Sequence, residues 1–196
     1  FDSTLASIAR SAQASGWYCE TQYKLLGTIN SESHQYITEL LEDKNYQPNR
    51  QYELEHLRDL SASVVSEKTE YPDSTVDVYI RKPDGTEICI DITTVKPSKK
   101  EFRTMKRKLL MWAAINYSQC QGSQFNPYIA VPYNPNSGDE YNNHKGTYDR
   151  ADLLVGDELW KLVSDNQMGT DDLVEIFEGI GEELRLEIQQ QIEKMT

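Results

Sequence analysis

The sequence predicts an α/β fold in which a small mixed β-sheet is flanked by helices. Residues 76–81 and 87–95 are rich in Val, Ile, Thr and Tyr, the residue types that pack well on a pleated surface. Between them, Pro-Asp-Gly at 83–85 supplies a fixed φ and then a residue that tolerates a positive φ, which predicts a hairpin. A helix beginning at Ser98 and a strand at 128–133 follow. Such a helix connects two parallel strands as a crossover, and a right-handed connection is expected.

The phase of this hairpin places two carboxylates side by side. Side chains alternate between the two faces of a strand. Asp77 and Asp91 are therefore expected on one face of the sheet, and the Val and Ile residues next to them on the other. With a three-residue loop, Arg81 pairs with Glu87 and Asp77 pairs with Asp91. A register shifted by one residue would remove this pairing.

Two adjacent carboxylates repel each other unless a cation lies between them or one of them is protonated. Hard divalent cations such as Mg²⁺ bind carboxylate oxygens, so the pair is a candidate metal site. The alternative is two exposed aspartates on the solvent face of a hairpin. Asp73 follows a proline but precedes the predicted strand, which makes Asp77 the preferred first ligand. Glu87 shares the face of the pair and is an auxiliary candidate unless Arg81 binds it.

A basic segment follows the second strand. From Lys96 to Lys108 the sequence has seven basic residues and one acidic residue, in a chain whose net charge is −12. Ser98 and Glu101 have the spacing of a capping box, which predicts that a helix begins there. A basic stretch beside an acidic pair is typical of a site that binds a polyanion and hydrolyses it with a metal ion, whereas the alternative for each side chain is a solvated helix face. The polyanion-binding candidates are Lys99, Lys100, Arg103, Lys106 and Arg107.

An acidic residue, a gap and a second acidic residue on paired strands resemble the motif of the PD-(D/E)xK nuclease superfamily. The wider pattern resembles the TdeIII-type family of type II restriction endonucleases. Ordered blocks that span most of the chain carry this resemblance: EHLRDLSASVV at 55–65, STVDVYI at 74–80, IDITTVKPSKKEFRTMKRKLLMWAAI at 90–115, YIAVPYNP at 128–135, and DLLVGDELWKLV followed by LVEIFEGIGEEL in the last third.

The resemblance implies a restriction-endonuclease-like core that cleaves double-stranded DNA at specific sequences, with Mg²⁺, in a bacterial restriction–modification system. Asp77 and Asp91 would hold the metal ion. Superfamily members often add an acidic ligand from a helix before the first strand, and Glu53 is the candidate, with Glu55 second; a helix-surface carboxylate is the alternative for each. A palindromic target implies a homodimer, and no organic cofactor is expected.

The chain departs from the family pattern at one catalytic position. The family has a lysine two residues after the second acidic residue, and Thr93 stands there. A threonine forms hydrogen bonds but carries no charge. Three explanations remain: Lys96 replaces the lysine from the end of the strand, the enzyme works with a neutral residue at position 93, or this chain is an inactivated form.

The length of 196 residues is expected to form a single nuclease domain. A mainly helical N-terminal part is predicted at 1–65, including helices at 31–41 and 50–65, followed by a catalytic α/β core at 74–133. The helical C-terminal part at 150–196 is predicted to contain helices near 157–163, 170–178 and 181–194.

A long polar segment at 134–149 separates the core from the C-terminal part. Its side chains include types that contact phosphates and base edges, and long polar loops in compact domains are often functional. A mobile surface loop is the alternative. The weaker DNA-contact candidates here are Asn142, Asn143, His144 and Lys145.

Composition restricts the classes of function. Residues 149–196 have thirteen acidic and four basic side chains, so DNA is expected to bind in a local basic groove rather than over the whole surface. The three cysteines show no metal-ligand spacing and are expected to be free thiols in the cytoplasm. Neither a membrane span nor a signal peptide is expected. The second hypothesis is a catalytically dead nuclease fold that binds DNA, or that binds a protein through its acidic helices.

Overall fold

In the computed structural model, residues 2–62, 70–136, 139–144, 146–169 and 172 are described. Within these residues, five strands form one sheet in the order β1-β2-β3-β4-β5. The strands are β1 (Tyr18–Leu26), β2 (Glu70–Arg81), β3 (Glu87–Ile92), β4 (Phe125–Val131) and β5 (Leu153–Val155). The helices are α1 (Asp2–Ala14), α2 (Ser31–Glu42), α3 (Arg50–Ser61), α4 (Lys99–Gln119) and α5 (Asp157–Val163).

The predicted hairpin and its register are confirmed. Strands β2 and β3 are antiparallel, and Arg81 pairs with Glu87 as the three-residue loop requires. Gly85 has φ 86°, which a side chain would strain. The Asp84 carboxylate accepts a hydrogen bond from the Thr86 N–H at 2.9 Å, so a local bond closes the turn.

Helix α4 is the predicted crossover. It connects β3 to β4, which pair in parallel, and β4 pairs in parallel with β5. Its first turn has the predicted capping box, since Ser98 N–H donates to Glu101 Oε2 at 2.6 Å and Glu101 N–H donates to Ser98 Oγ at 3.3 Å. Because β1 and β2 are antiparallel, the sheet is mixed, and the predicted α/β class is confirmed.

Helices cover both faces of the sheet. Helices α2, α3 and α4 pack on one face, around fully buried residues such as Phe102 and Trp112. Helices α1 and α5 pack on the other, where Ile8 and Trp160 belong to the same buried cluster as the Ile residues of β3. Among the helices that the structure describes, none combines the length and apolarity of a membrane span.

Strand β1 was not predicted, because residues 1–65 were expected to be mainly helical. Only Cys19 and Leu25 are buried in β1, so the strand has almost no apolar alternation in its sequence. Strand β2 begins at Glu70, and Asp73 therefore lies within the strand rather than before it. Strand β4 begins at Phe125, three residues before the predicted start.

Some boundaries also differ from the predictions. Strand β3 ends at Ile92 rather than at Val95. Helix α5 confirms the predicted helix at 157–163, and α2 ends one residue after its predicted end. The predicted helices at 170–178 and 181–194 lie outside the described residues, except for 172.

Candidate active site

Asp77 and Asp91 face each other across the hairpin. The register that pairs Val78 with Ile90 brings Asp77 of β2 opposite Asp91 of β3. Asp77 is fixed by two hydrogen bonds: its Oδ2 accepts from the Ile92 N–H at 2.8 Å, and its Oδ1 accepts from Gln22 Nε2 at 3.1 Å. We call Asp77 and Asp91 the carboxylate pair.

Gln22 belongs to β1 and was not identified from the sequence. It lies opposite Asp77 in the register of β1 and β2, and its φ is 53°. Positive φ in a non-glycine residue within a strand is uncommon and is enriched at functional sites. Neither composition nor a motif identifies Gln22 in the sequence. Its contact with Asp77 depends on β1, a strand that was not predicted.

The carboxylate of Asp91 is buried, with the residue 5% exposed, and it forms an ion pair with Lys108 of α4 through Oδ1. Burial raises the pKa of the Asp91 carboxyl, the Lys108 ammonium opposes this shift, and the Asp77 carboxylate adds to it. The influence of Asp77 on the Asp91 pKa reflects the repulsion predicted for two neighbouring carboxylates.

Lys108 was counted in the basic segment but was not identified as a site residue. It lies in the third turn of α4, and its Nζ is 5.2 Å from the centre of the Trp112 ring. Its side chain is 29% exposed, compared with 7% for Asp91. Helical spacing could have identified it. Lys108 lies four residues before Trp112, which was predicted to be in the core, so the two side chains lie on the same side of the crossover helix.

Thr93 and Lys96 were the two predicted sources of the function of the missing lysine. Among the described contacts, neither binds the carboxylate pair through its side chain. Thr93 is half-buried beyond the end of β3, and its N–H donates to the Ala130 carbonyl at 2.9 Å. This bond holds the backbone of Thr93 against β4. Lys96 is exposed in the connection between β3 and α4. The catalytic roles predicted for Thr93 and Lys96 stay predictions.

Glu53 faces inward from α3, but it lies in a different charge cluster. Its carboxylate forms an ion pair with Lys106 and accepts hydrogen bonds from Tyr46 Oη at 2.5 Å and from the Asn49 N–H at 2.9 Å. Lys106 and Lys108 are two residues apart, so their side chains leave α4 about 200° apart. The structure therefore does not bring Glu53 to the carboxylate pair.

The basic residues of α4 separate into exposed and buried groups. Lys99 and Lys100 are exposed at the start of the helix. Arg103 is also exposed, and its Nη2 donates to the Leu41 carbonyl at 3.2 Å. Lys106 is 1% exposed and binds Glu53 and Asp152, so it lacks the solvent-facing position that the predicted DNA contact requires. Arg107 is partly buried.

The polar loop packs against the start of α4. Asn143 Nδ2 donates to the Pro97 carbonyl at 2.8 Å, and Tyr141 Oη donates to the Val95 carbonyl at 3.0 Å. Asn142 and His144 are exposed beside these contacts. The two sets of predicted DNA-binding residues are thus neighbours. Lys145 lies outside the described residues.

Glu87 shares the face of the carboxylate pair but is already bound. It accepts hydrogen bonds from the Tyr79 hydroxyl and from Asn116 Nδ2, the latter at 2.5 Å. Arg81, its predicted alternative partner, lies over the Tyr18 ring at 5.2 Å. These contacts give Glu87 a structural role beside the hairpin turn, away from the carboxylate pair.

The site combines two carboxylates, one ammonium and an exposed basic helix start. Carboxylate oxygens are the ligands that Mg²⁺ prefers, and Mg²⁺ commonly uses only one or two carboxylates together with waters and substrate phosphates. Within the described part of the chain, no group of three or more His, Cys, Asp or Glu residues is placed to hold a metal ion. The chemistry of the carboxylate pair therefore fits Mg²⁺, which Asp77 and Asp91 would hold.

Comparisons with known proteins identify the family of this chain. The family model of the type II restriction endonuclease HinfI matches residues 2–181. The type II restriction enzyme MjaII of Methanocaldococcus jannaschii is 24% identical over 171 residues, which cover 81% of this chain and 45% of MjaII. The type II restriction enzymes HgiEI and HgiBI of Herpetosiphon aurantiacus are 28% and 29% identical over 121 residues, which cover 59% of this chain and 43% of each enzyme.

The chain spans less than half the length of these curated relatives. No solved structure gave a significant match. The family match covers nearly all of the chain, including both strands of the carboxylate pair and the whole of α4. The chain therefore belongs to the HinfI family of type II restriction endonucleases.

Proposed function

We propose that this protein is a type II restriction endonuclease that hydrolyses phosphodiester bonds of double-stranded DNA at a specific sequence, with Mg²⁺ as its metal ion. Membership of the family supports the class of reaction. The observation that carries the proposal is the register of the hairpin, which sets Asp77 opposite Asp91. The finer assignment to the TdeIII-type group of the PD-(D/E)xK superfamily belongs to the same proposal and is supported by the ordered sequence blocks.

Asp77 and Asp91 would hold the metal ion. Bound Mg²⁺ would lower the pKa of a water molecule and neutralise charge on phosphate oxygens. Gln22 and the Ile92 N–H fix the Asp77 carboxylate before any ligand binds, which reduces the reorganisation that binding requires. Burial of Asp91 strengthens every charge interaction at the site.

The reaction consumes one water molecule. The water oxygen forms a bond to phosphorus, and the bond between phosphorus and one ester oxygen breaks. One water proton is taken up by the leaving sugar oxygen, and the other stays on the new phosphate monoester or passes to solvent. Positive charge near the phosphorus oxygens stabilises the transition state of this displacement.

DNA would bind across the start of α4. Lys96, Lys99 and Lys100 are exposed there, and Asn142 and Asn143 lie beside them through the contacts of the polar loop. Lysine ammonium groups contact phosphates, whereas amide side chains contact both phosphates and base edges. A palindromic target would be bound by a homodimer with matching two-fold symmetry.

The proposal is tested by incubating the full chain with plasmid and phage DNA, with Mg²⁺ or with a chelator. We expect discrete fragments that require the metal ion. Asp77→Asn and Asp91→Asn should each lower the cleavage rate by about 100-fold or more, while both variants stay folded. Asp157→Asn is the matched control, since it changes an exposed aspartate of α5 on the other face of the sheet. Full activity in Asp91→Asn, or fragments in the presence of chelator, would contradict the proposal.

The alternative is a DNA-binding or protein-binding module without catalysis. The threonine at position 93 is the observation that favours it. It predicts duplex binding, or binding of a protein partner, without cleavage by this chain. Cleavage only after Thr93→Lys would identify a disabled form of the nuclease that still binds DNA. Retention of the carboxylate pair favours the endonuclease, because a binding module gains nothing from the repulsion between two aspartates.

A further inference from the structure

We propose that Lys108 of α4 is the catalytic lysine of this chain and supplies the positive charge at the phosphate that is cleaved. The inference rests on the proposed function and assigns a residue to it. Position 93 carries no charge, and Lys96 is exposed beyond the end of β3. Among the described ion pairs, the one that reaches the carboxylate pair comes from Lys108.

The ion pair with Asp91 places the Lys108 ammonium beside a carboxylate that would hold the metal ion, within reach of a phosphate bound there. A lysine ammonium has three N–H donors, and its ion pair with Asp91 Oδ1 leaves donors for other oxygens. The side chain of Lys108 is 29% exposed and that of Asp91 is 7% exposed, so solvent reaches the ion pair along Lys108. A phosphate that approaches Asp91 from solvent would therefore come close to the ammonium.

The position of the ammonium is restrained on two sides. Trp112 is one helical turn further along α4 and is fully buried, and its ring lies 5.2 Å from the Lys108 Nζ. Asp91 binds the ammonium from the sheet side. Such restraint lowers the entropy that is lost when a flexible lysine binds a phosphate oxygen.

A helix can replace the strand as the source of this charge because α4 crosses the face of the sheet that bears the carboxylate pair. Lys106, two residues earlier, is directed to the opposite side of the helix and is held between Glu53 and Asp152. Of these two lysines, the one that faces the site is Lys108. The chemical requirement at the phosphate is a fixed positive charge, which either element can carry.

The first test measures cleavage by four forms of the full chain: the unchanged chain, Lys108→Met, Thr93→Lys, and Lys108→Met combined with Thr93→Lys. We expect Lys108→Met to lower the cleavage rate by about 100-fold or more. Duplex affinity, measured with Ca²⁺ in place of Mg²⁺, should change by less than about threefold if Lys108 acts mainly in the transition state. The double variant should regain most of the lost rate. A merely structural lysine would not be rescued by a lysine on a different element.

The second test measures binding of Mg²⁺ alone by calorimetry, without DNA. The ammonium repels a cation at Asp91, so Lys108→Met should bind Mg²⁺ about tenfold more tightly than the unchanged chain. Lys161→Met is the matched control because Lys161 also pairs with an aspartate, Asp157, at 3.4 Å on the other face of the sheet. Lys108→Gln keeps a polar side chain of moderate length and serves if Lys108→Met does not fold.

The outcomes separate the two proposals. Equal cleavage by Lys108→Met and the unchanged chain would overturn the role of Lys108 and leave the endonuclease proposal intact. Activity in Thr93→Lys with an inactive unchanged chain would show that the site is a nuclease site in which Lys108 does not act. If all four folded forms are inactive, the proposed function fails and the role of Lys108 fails with it. Unchanged Mg²⁺ affinity in Lys108→Met would contradict the placement of its ammonium at the metal site.

Discussion

At the scale of single side chains, four charged residues link α3, α4 and the segment before β5; three of them are buried and Arg50 is partly buried. Lys106 forms ion pairs with Glu53 and, at 2.6 Å, with Asp152. Asp152 also binds Arg50 Nη1 at 3.1 Å, so two positive and two negative groups balance each other. Arg50 Nη1 additionally donates to the Pro127 carbonyl at 2.6 Å. We call Arg50, Glu53, Lys106 and Asp152 the buried charge cluster.

Breaking this cluster should strongly destabilise the fold. Lys106→Met leaves Glu53 without its cation and Asp152 with Arg50 alone, so one buried negative charge is uncompensated, which costs about 3–5 kcal/mol of unfolding free energy. Urea denaturation at neutral pH measures this loss. Lys161→Met removes an exposed ammonium paired with Asp157, and a loss below about 1 kcal/mol is expected. If Lys106→Met were as stable as Lys161→Met, the cluster would not have the structural role that its burial implies.

The sequence predicted some of these residues and not their partners. The helical period correctly placed Glu53 on the inward side of α3, and the length of the hairpin loop correctly set the register of β2 and β3. The pairing of Glu53 with Lys106, and of Asp91 with Lys108, depends on the rotation of α4 relative to the sheet. That rotation is set by packing between distant segments, which local periodicity does not contain.

At the level of elements, the end of β1 packs against the C-terminal half of α4. A Cβ atom built on Gly27 would lie 2.8 Å from the Ile115 carbonyl oxygen and 2.8 Å from Ser118 Oγ. The next N–H, of Thr28, donates to Ser118 Oγ at 3.2 Å. Only a residue without a side chain allows the two backbones to approach this closely.

Gly27→Ala should therefore weaken the contact between β1 and α4. One of the two backbones must move, and overpacking of this kind costs about 1–3 kcal/mol. The midpoint of thermal or urea unfolding measures the effect. Gly122→Ala is the matched control, because a Cβ there meets no atom within 4 Å. Equal stability of the two variants would mean that the approach of β1 to α4 is looser than the structure indicates.

Prediction of the elements succeeded where a local signal was strong. The capping box at Ser98, the turn at 83–85 and the apolar half of α4 each specify an element through neighbouring residues. Strand β1 has no such local signal, since only two of its side chains are buried. Gln22 was missed with it, although Gln22 binds Asp77. The helix-dominated prediction for 1–65 was wrong at this one element.

Over the whole molecule, buried and partly buried tyrosines link stability to alkaline pH. Burial is the largest cause that raises the pKa of Tyr36 and of Tyr148, each to about 12. At Tyr148, the Tyr141 and Glu140 side chains add to the upward shift, and Arg150 opposes it. Burial also raises the pKa of Tyr23, Tyr46, Tyr79, Tyr117 and Tyr141.

The folded state favours the protonated phenol, because the pKa of each of these tyrosines is raised. Ionisation at alkaline pH therefore lowers the unfolding free energy. The stabilising contribution of each phenol is complete below its ordinary pKa of 10.0 and is lost as the pH rises from there through about 12. Unfolding free energy should therefore fall steeply between these pH values, together with the appearance of phenolate absorbance. Urea denaturation at a series of pH values measures the fall.

The Tyr148→Phe variant separates the contribution of Tyr148 to this pH dependence from the contributions of other titrating groups. It removes the hydrogen bond from Tyr148 Oη to the Asn143 carbonyl, which is 2.9 Å long, so a loss of about 1 kcal/mol is expected at neutral pH. Above pH 10.0 the variant should lose less stability than the unchanged chain, because one buried phenol no longer ionises. Tyr133→Phe, at a residue 53% exposed, is the matched control and should follow the unchanged chain. Parallel pH profiles for all three proteins would show that Tyr148 ionises without cost to the fold.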